Sequence, residues 1–514
     1  MKGKFYLTAA IPYVSGSPHA GHTLEYVIAD VINRYYRLKG YKVRFNCGSD
    51  ENGQKIIETA KKENLTPVEV TDKYTKAFRK HLENLNVKID VWRKGSDKKL
   101  HWPGVIEMWK RAVKNGDIYK KKYKGLYCVG CEQFYKNNEL KNGKCPEHLR
   151  KPELVEEENY FFKLSRYQDK LLKLIESDEL KVFPSIRKNE TLGFIKQGLE
   201  DFSVSRPKER LDGWGIPVPG DESQIMYVWF DALTIYMTSI GWNYDLKTFK
   251  EWWPADVHVI GKGIYRFHTV YWPAMLLSAG LPIPKEVLIH GYVTSGGQKM
   301  AKSLGNVVDP EELVKKYGTD PVRYYLLKEV PTQSDGDFTE ERFKEVYNAD
   351  LANGLGNLTS RILAMTEKYT KGIVPEIDKD PHLHQLFKDK NIFTWKKSWA
   401  GIDNFVPKYE FHVALENIWR FIHVVDKYID ENKPWELAKE NNQEKLNWVV
   451  YGLLDGLHQL TWQIRPFLPE TSNKIGKALK IKGINKKQPL YEDSWTNIKP
   501  GTKIKKIDLL FPRL

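Results

Sequence analysis

Cysteine is scarce, with four in a chain of 514 residues, and three of those four fall between Cys128 and Cys145. So thin a supply excludes a disulfide framework and leaves the grouped three to be explained by metal. Long apolar runs are missing as well, and no window approaches the length and apolarity of a membrane span. The start, Met1-Lys2-Gly3-Lys4, enters an apolar stretch that Pro12 and Gly16 break, so the continuous centre of a secretory signal is lacking. Acidic residues are the minority, 66 against 81 Lys and Arg, for a net charge of +15, while 13% of residues are aromatic. Cations with abundant rings favour a partner that is negatively charged and stackable, although a solvated lysine-rich surface has the same composition. The expectation is a cytoplasmic protein of two to four parts, because a chain this long outgrows one core.

What is present begins with a strand candidate before Ala10, a Pro/Gly/Ser turn, and a helix over about 23–39. In that helix Leu24, Val27, Ile28, Val31, Ile32 and Tyr35 fall at helical spacing and Gly40 marks the stop. A second strand over 43–47 runs into Gly48-Ser49-Asp50-Glu51-Asn52-Gly53. This order opens a parallel α/β domain whose functional residues belong beyond the carboxyl ends of the strands. The pattern breaks near residue 116, resumes over 224–237, and continues with strands at 257–260 and 287–289 around a helix at 267–279. The expected fold is α/β: a Rossmann-like parallel-sheet catalytic domain (1–115 and 225–290) split by a metal-bearing insertion (116–224). A region with a Gly-rich loop (291–350) follows, and then an α-helical bundle (351–514). Helical periodicity in the bundle is clearest at 409–427 and 445–464, and a basic tail from Lys474 wraps back over it.

Three segments carry chemistry. Cys128-Val129-Gly130-Cys131 and Cys145-Pro146-Glu147-His148 offer three thiolates and one imidazole in two close pairs, with Gly130 and Gly143 for tight turns. That set suits a closed tetrahedral zinc site, which leaves no position for a reacting water and so assigns the metal a structural task. Unliganded buried cysteines give no reason for the paired spacing. His19-Ala20-Gly21-His22 stands at the entrance of the first helix, where unpaired amides favour a phosphate; surface histidines explain the segment taken alone. Gly296-Gly297-Gln298-Lys299-Met300-Ala301-Lys302-Ser303 reads as a solvated linker or as a mobile loop. In the second reading its two ammonium groups close on a triphosphate as negative charge moves to departing pyrophosphate. Together, the histidine and lysine segments suit a nucleoside triphosphate held from both sides.

With these motifs, the 48–53 segment and Val228-Trp229-Phe230-Asp231-Ala232-Leu233, the chain resembles the class I aminoacyl-tRNA synthetases. Within them it is similar to the methionyl-tRNA synthetase family of the bacterial kind with a single zinc knuckle, over residues 5 to about 464. The resemblance implies ATP-dependent ligation of L-methionine to tRNA-Met through methionyl-adenylate, with release of AMP and pyrophosphate. It implies one structural Zn2+ on Cys128, Cys131, Cys145 and His148, and ATP with Mg2+ as the substrate complex. The ATP site it implies is His19, Gly21, His22, Lys299, Lys302 and Ser303. The implied methionine pocket is Ile11, Tyr13, Asp50, Trp229, Ala232, Leu233, Tyr236, Ile264 and His268. Asp50 holds the ammonium, Tyr13 and His268 approach the polarizable thioether, and Trp229 and Tyr236 form an aromatic wall. In the helical region the resemblance has Asn357, Arg361 and Trp435 read the CAU anticodon, and it makes 291–350 a stem-contact region. Without the family, Asn357 and Arg361 read as a helix cap and a salt-bridge former, and Trp435 as a packing residue.

Some positions depart from the family pattern: Ala20 stands for Ile or Leu, Ala301 for serine, Asn52 for histidine, Leu233 for proline and Gly263 for aspartate. The carboxylate lost at Gly263 predicts retained activity with a weakened nucleotide site. Synthetases for isoleucine, valine and leucine carry a large editing insertion for which 116–224 is too short. A tRNA-binding relic without adenylation has no use for Asp50, both histidines and both lysines. The sequence ends soon after the bundle, so a monomer is expected.

Overall fold

The computed structural model describes residues 2–130, 133–135, 137–146, 150–299, 308–377, 394–481 and 498–514. Its centre is a six-stranded, wholly parallel sheet. The strands are β1 (Lys4–Ala9), β2 (Lys42–Ser49), β3 (Val91–Lys94), β4 (Lys181–Phe183), β5 (Val257–Gly261) and β6 (Glu286–His290), in the spatial order β3-β2-β1-β5-β6-β4. Four consecutive residues of β1, Tyr6 to Ala9, are buried, as a strand covered on both faces requires. β1 pairs β5 in the register Leu7 with Val257, Thr8 with His258 and Ala9 with Val259. The chain builds outward from β1 in one direction and from β5 in the other. The crevice beyond their carboxyl ends is therefore the topological switch point, where α/β sheets bind ligands.

Helix α1 (Ala20–Leu38) begins three residues sooner than its apolar spacing indicates. His19 accepts the Gly21 amide at Nδ1 (3.1 Å), and His22 Nδ1 accepts the His19 amide (3.3 Å), so two imidazoles build a capping box. Gly40, with φ +87°, ends the helix where the sequence places its stop.

The segment 116–224 forms an antiparallel sheet led by Ile118–Cys128 and Glu153–Phe162, whose register runs from Ile118 with Phe162 to Tyr127 with Glu153. Its lysine run is thereby explained: Lys124 faces Glu156 and Lys120 lies beside Glu158 across the strands. The same segment also sends β4 back to the edge of the parallel sheet, with Lys181 opposite Glu286. Three residues are too few for periodicity to announce a strand.

Beyond the sheet stand α4 (Asn357–Thr370), α5 (Phe411–Asn432), α6 (Gln443–Gln463) and α7 (Pro469–Ala478). A π-helical segment, Tyr347–Gly356, leads into α4. The fully buried Arg323 joins bundle to sheet by donating to the carbonyls of Leu85, Pro466 and Phe467 and pairing with Asp30 at 2.8 Å. The tail wraps back as its sequence suggests, with the Tyr451 hydroxyl donating to the Ile498 carbonyl and Phe511 packing edge-on to Tyr347. Among the described residues no helix is long and apolar enough to cross a membrane.

Candidate active site

The loops after β1 and β2 are locked side by side: the Val14 amide donates to the Asp50 carbonyl (3.1 Å) and the Asp50 amide to the Pro12 carbonyl (2.9 Å). A Cβ on Gly48 would lie 2.2 Å from the Arg93 carbonyl, so only glycine permits this approach of β2 to β3. Tyr13 and Asp50 are thus held together at the switch point, with Asp50 buried. The Tyr13 hydroxyl donates to the Asn52 carbonyl at 2.7 Å. The Asn52 amide donates to the Asp231 carboxylate, which His101 Nε2 meets from the other side. His101 Nδ1 lies 2.8 Å from the Thr238 hydroxyl. An ionised carboxylate only accepts, so Nε2 carries the His101 proton that faces it. One buried chain of hydrogen bonds therefore runs from Thr238 to Tyr13.

Helix α3 (Val228–Thr238) supplies the opposite wall. Trp229 stacks on Phe267 at 3.8 Å and 5°, and turns an edge-on geometry to His268 at 6.3 Å. Ala232, Leu233 and Tyr236 are buried within the same helix, while Ile264 is half-buried in the turn after β5. His268 Nδ1 donates to the Ile264 carbonyl (3.0 Å), which fixes the tautomer and leaves Nε2 to accept the Tyr236 hydroxyl at 2.8 Å. Burial pushes His268 down to about 4, despite its bond to Ile264, so this imidazole is neutral at pH 7. Burial likewise raises the Tyr236 phenol far above its ordinary value. The two polar tips face each other, so the wall presents rings. A buried carboxylate beside such a wall suits an amino acid with an apolar, polarizable side chain.

On the nucleotide side the His19 and His22 rings stack at 3.8 Å, and His22 meets Phe78 of α2 (Pro67–Asn84) edge-on at 4.9 Å. Burial, then the proximity of His19, His81 and His290, depresses His22 well below its ordinary value. Both Nδ1 atoms accept amides, so Nε2 is the donor on each neutral ring. A Cβ on Gly21 would sit 3.0 Å from the His19 ring, which accounts for the glycine between them.

Lys299 lies in a hairpin of Val293–Ser295 and Gln298–Lys299, paired with Thr294, and Gly296 and Gly297 form its turn at φ +61° and +73°. Asp337 anchors that turn by accepting the Gly297 amide (2.9 Å) and the Thr294 hydroxyl (2.7 Å). The start of this segment is therefore a fixed hairpin and not a loose linker. Lys302 and Ser303 lie outside the described residues.

Several buried groups escaped sequence reasoning. Glu25 accepts the Ala10 amide at 2.9 Å and faces His290 at 3.4 Å; a charged residue inside the apolar stripe of α1 is the signal that marks it. Next to Gly263, Lys262 contacts both carboxylate oxygens of Asp335, at 2.8 and 2.7 Å.

In the insertion, Cys128 and Cys145 share a buried cluster with Tyr135 and Leu140, and the Cys145 sulfur is 3.5 Å from the Tyr135 hydroxyl. Cys131 and His148 lie outside the described residues, and among the described ones no group of three His, Cys, Asp or Glu side chains gathers as a metal site. In the bundle, Asn357 is exposed at the start of α4. Arg361, one turn on, is held by Asp426 (2.5 Å) and Asp430 (2.8 Å) of α5. Trp435, just past α5, is 39% exposed.

The family model described as tRNA synthetases class I (M) matches residues 5–151 and 138–363. The methionine–tRNA ligase of Thermotoga maritima is 40% identical over 515 residues, covering 99% of this chain and 80% of that protein. The methionine–tRNA ligase of Clostridium acetobutylicum is 42% identical over 523 residues, covering 100% of this chain and 78% of that protein. The Mycobacterium tuberculosis methionyl-tRNA synthetase in complex with methionyl-adenylate superposes with a TM-score of 0.93 at 35% identity, over 99% of this chain and 100% of that one. By sequence and fold alike, the chain belongs to the class I methionyl-tRNA synthetase family, whose members are methionine–tRNA ligases.

Proposed function

We propose that this chain activates L-methionine with ATP and transfers it to tRNA-Met, with each sequence-assigned residue in a definite role. The observation that carries the reading is that the paired Tyr13 and Asp50 loops are tied through Asn52 to Asp231 of the helix that bears Trp229 and Tyr236, while His19 and His22 cap the entrance of α1. Asp50 holds the substrate ammonium. Ile11, Ala232, Leu233 and Ile264 complete the apolar surround, and the rings meet the thioether. The methionine carboxylate, already an anion, attacks the α-phosphorus of ATP. An acyl phosphate bond forms, the bond to the bridging oxygen breaks, and pyrophosphate leaves, so no general base is required and positioning governs the rate. His19 and His22 donate from Nε2 to the nucleotide, with Gly21 allowing close approach. Lys299, Lys302 and Ser303 take up the charge that moves to pyrophosphate, and Mg2+ would enter with ATP as part of the substrate complex. A hydroxyl of the terminal adenosine of tRNA-Met then attacks the methionyl carbonyl and AMP departs.

Zn2+ belongs on Cys128, Cys131, Cys145 and His148. Two thiols already packed in one buried cluster fit that donor set. When bound, the metal cross-links two turns and takes no part in the reaction. Residues 1–115 with 225–290 act as the catalytic domain, 116–224 as the connective insertion, 291–350 as the loop and stem-contact region and 351–514 as the anticodon-binding bundle. There Asn357 and Arg361 hydrogen-bond anticodon bases and Trp435 stacks on one. The protein works in the cytoplasm. Methionine-dependent exchange of labelled pyrophosphate into ATP, run beside isoleucine, tests the activation step. Methionylation of a tRNA-Met transcript tests the transfer. Exchange with isoleucine in place of methionine would overturn the assignment, and tRNA binding without exchange would leave an RNA-binding protein.

A further inference from the structure

At the far end of α1 from His19 and His22 lies a second cleft, of about 730 Å3. From His22 to Leu38 the helix advances roughly 24 Å, so this cleft is remote from the proposed ATP site. Its ionic lining is Arg34, Arg37, Arg79, Lys88 and Arg465, against Glu83 and Asp90 alone. Those acids are already engaged: Asp90 pairs with Arg37 at 2.6 Å and accepts the Phe45 amide at 2.8 Å, and Glu83 is 3.5 Å from Lys80. Beneath the cleft a single buried carboxylate, Asp30, serves both Arg34 (2.5 Å) and Arg323 (2.8 Å).

Arg465 is the anomaly. It is half-buried after α6, its Nη1 is buried without a hydrogen-bond partner, and no described carboxylate pairs with it. Burial, then the nearby Arg34 guanidinium, pushes Arg465 down to about 10, which still leaves it cationic at pH 7. Asn473 Oδ1, in the same lining, is likewise buried without a partner. Arg465, repelled by Arg34 and carrying an unfilled donor, lacks an anion of its own, since Asp30 is taken by Arg34 and Arg323. Phosphate oxygens match a guanidinium fork. Leu38, Leu82, Ile89 and Tyr41 give the cleft an apolar side, and its volume is within the range of small-ligand sites.

We propose that this cleft binds the phosphate of a ribonucleotide, with Arg465 at its centre, Arg79 and Lys88 at its rim, and Asn473 Oδ1 accepting a hydroxyl or amino hydrogen of the same ligand. The nucleotide is either a free one or part of an RNA strand, and one experiment separates these sources. The full-length protein is titrated calorimetrically with inorganic pyrophosphate. Two sites per chain are expected. Arg465→Met weakens one of them roughly tenfold or more while keeping methionine-dependent pyrophosphate exchange, and His22→Ala weakens the other. Arg79 is exposed, so Arg79→Met leaves folding untouched and weakens the same cleft. Displacement of the second pyrophosphate by a tRNA-Met transcript identifies RNA as the source, and displacement by uridine monophosphate identifies a free nucleotide. A single site in the parent protein, a second site indifferent to both arginine variants, or displacement by neither ligand overturns the proposal.

Discussion

Tyr236 and His268 spend their polar atoms on each other and on the Ile264 carbonyl, deep in the crevice of the sheet. Arg361 and Trp435 stand at the surface of the bundle, the guanidinium held by two aspartates that are 38% and 61% exposed and the indole open to solvent. Both regions are assigned to substrate recognition, yet they are prepared for it in opposite ways. The first is organised before any ligand arrives, so a change there loses buried partners and disturbs both folding and catalysis. The second rests on exposed ion pairs worth little individually, so an RNA base can replace them at small cost.

The comparison is broken most severely by Asp50→Ala. Removing the carboxylate proposed to hold the substrate ammonium should lower kcat/KM for methionine in pyrophosphate exchange by two to three orders of magnitude, or about 3 to 4 kcal/mol. A loss below tenfold would remove Asp50 from the role proposed for it. The affinity for tRNA should be unchanged, because Asp50 lies in the sheet crevice and not in the bundle.

His268 tests the same region through pH. Its folded-state value of about 4 lies below the ordinary 6.5. Between those values the unfolded chain binds a proton that the native protein refuses, so stability rises with pH across the window. The contribution is fully present above pH 6.5 and is lost on acidification toward 4, a change of about 3 kcal/mol. Urea unfolding at pH 7 and pH 4.5 should therefore show a steeper acid loss in the parent protein than in His268→Gln. Parallel losses would mean that the imidazole is protonated in place.

The same contrast governs what the sequence could disclose. Helix α1 was legible because Leu24 to Tyr35 repeat at helical spacing, yet it starts three residues before that spacing indicates: two histidines cap it, and capping by imidazole has no compositional signature. The strand at Lys181–Phe183 was hidden by its length, and its place in the parallel sheet depends on contacts a hundred residues away. At the site, Asp50, Trp229 and Tyr236 were named through the family resemblance. The chain from His101 through Asp231 to Asn52 was not, since its links span 130 and 179 residues and each member is an ordinary polar residue until the fold buries it. Arg361 was legible as a salt-bridge former, and it pairs with Asp426 and Asp430, acids 65 and 69 residues away that helical spacing alone does not point to.

Trp435→Ala sharpens the comparison from the bundle side. Stacking on one base is worth about 2 kcal/mol, so the Kd for a tRNA-Met transcript should rise roughly thirtyfold. Pyrophosphate exchange in the absence of tRNA should stay at the parental rate. A stability loss comparable to the binding loss would return Trp435 to a packing residue.

Asp430→Asn gives the smallest effect and the most direct test of the surface. In the structure Arg361 is shared by Asp426 and Asp430, and in the proposed anticodon role it leaves them to meet a base. Neutralising one partner removes an exposed ion pair worth up to about 1 kcal/mol from the unbound state. It also removes a negative charge from the surface proposed to meet tRNA phosphates. Both changes act in the same direction, so tRNA should bind up to about fivefold more tightly, with thermal stability nearly unaltered. Weaker binding would mean that Asp430 holds Arg361 in the orientation that reads the base, and the bundle would then be preorganised in the same manner as the methionine pocket.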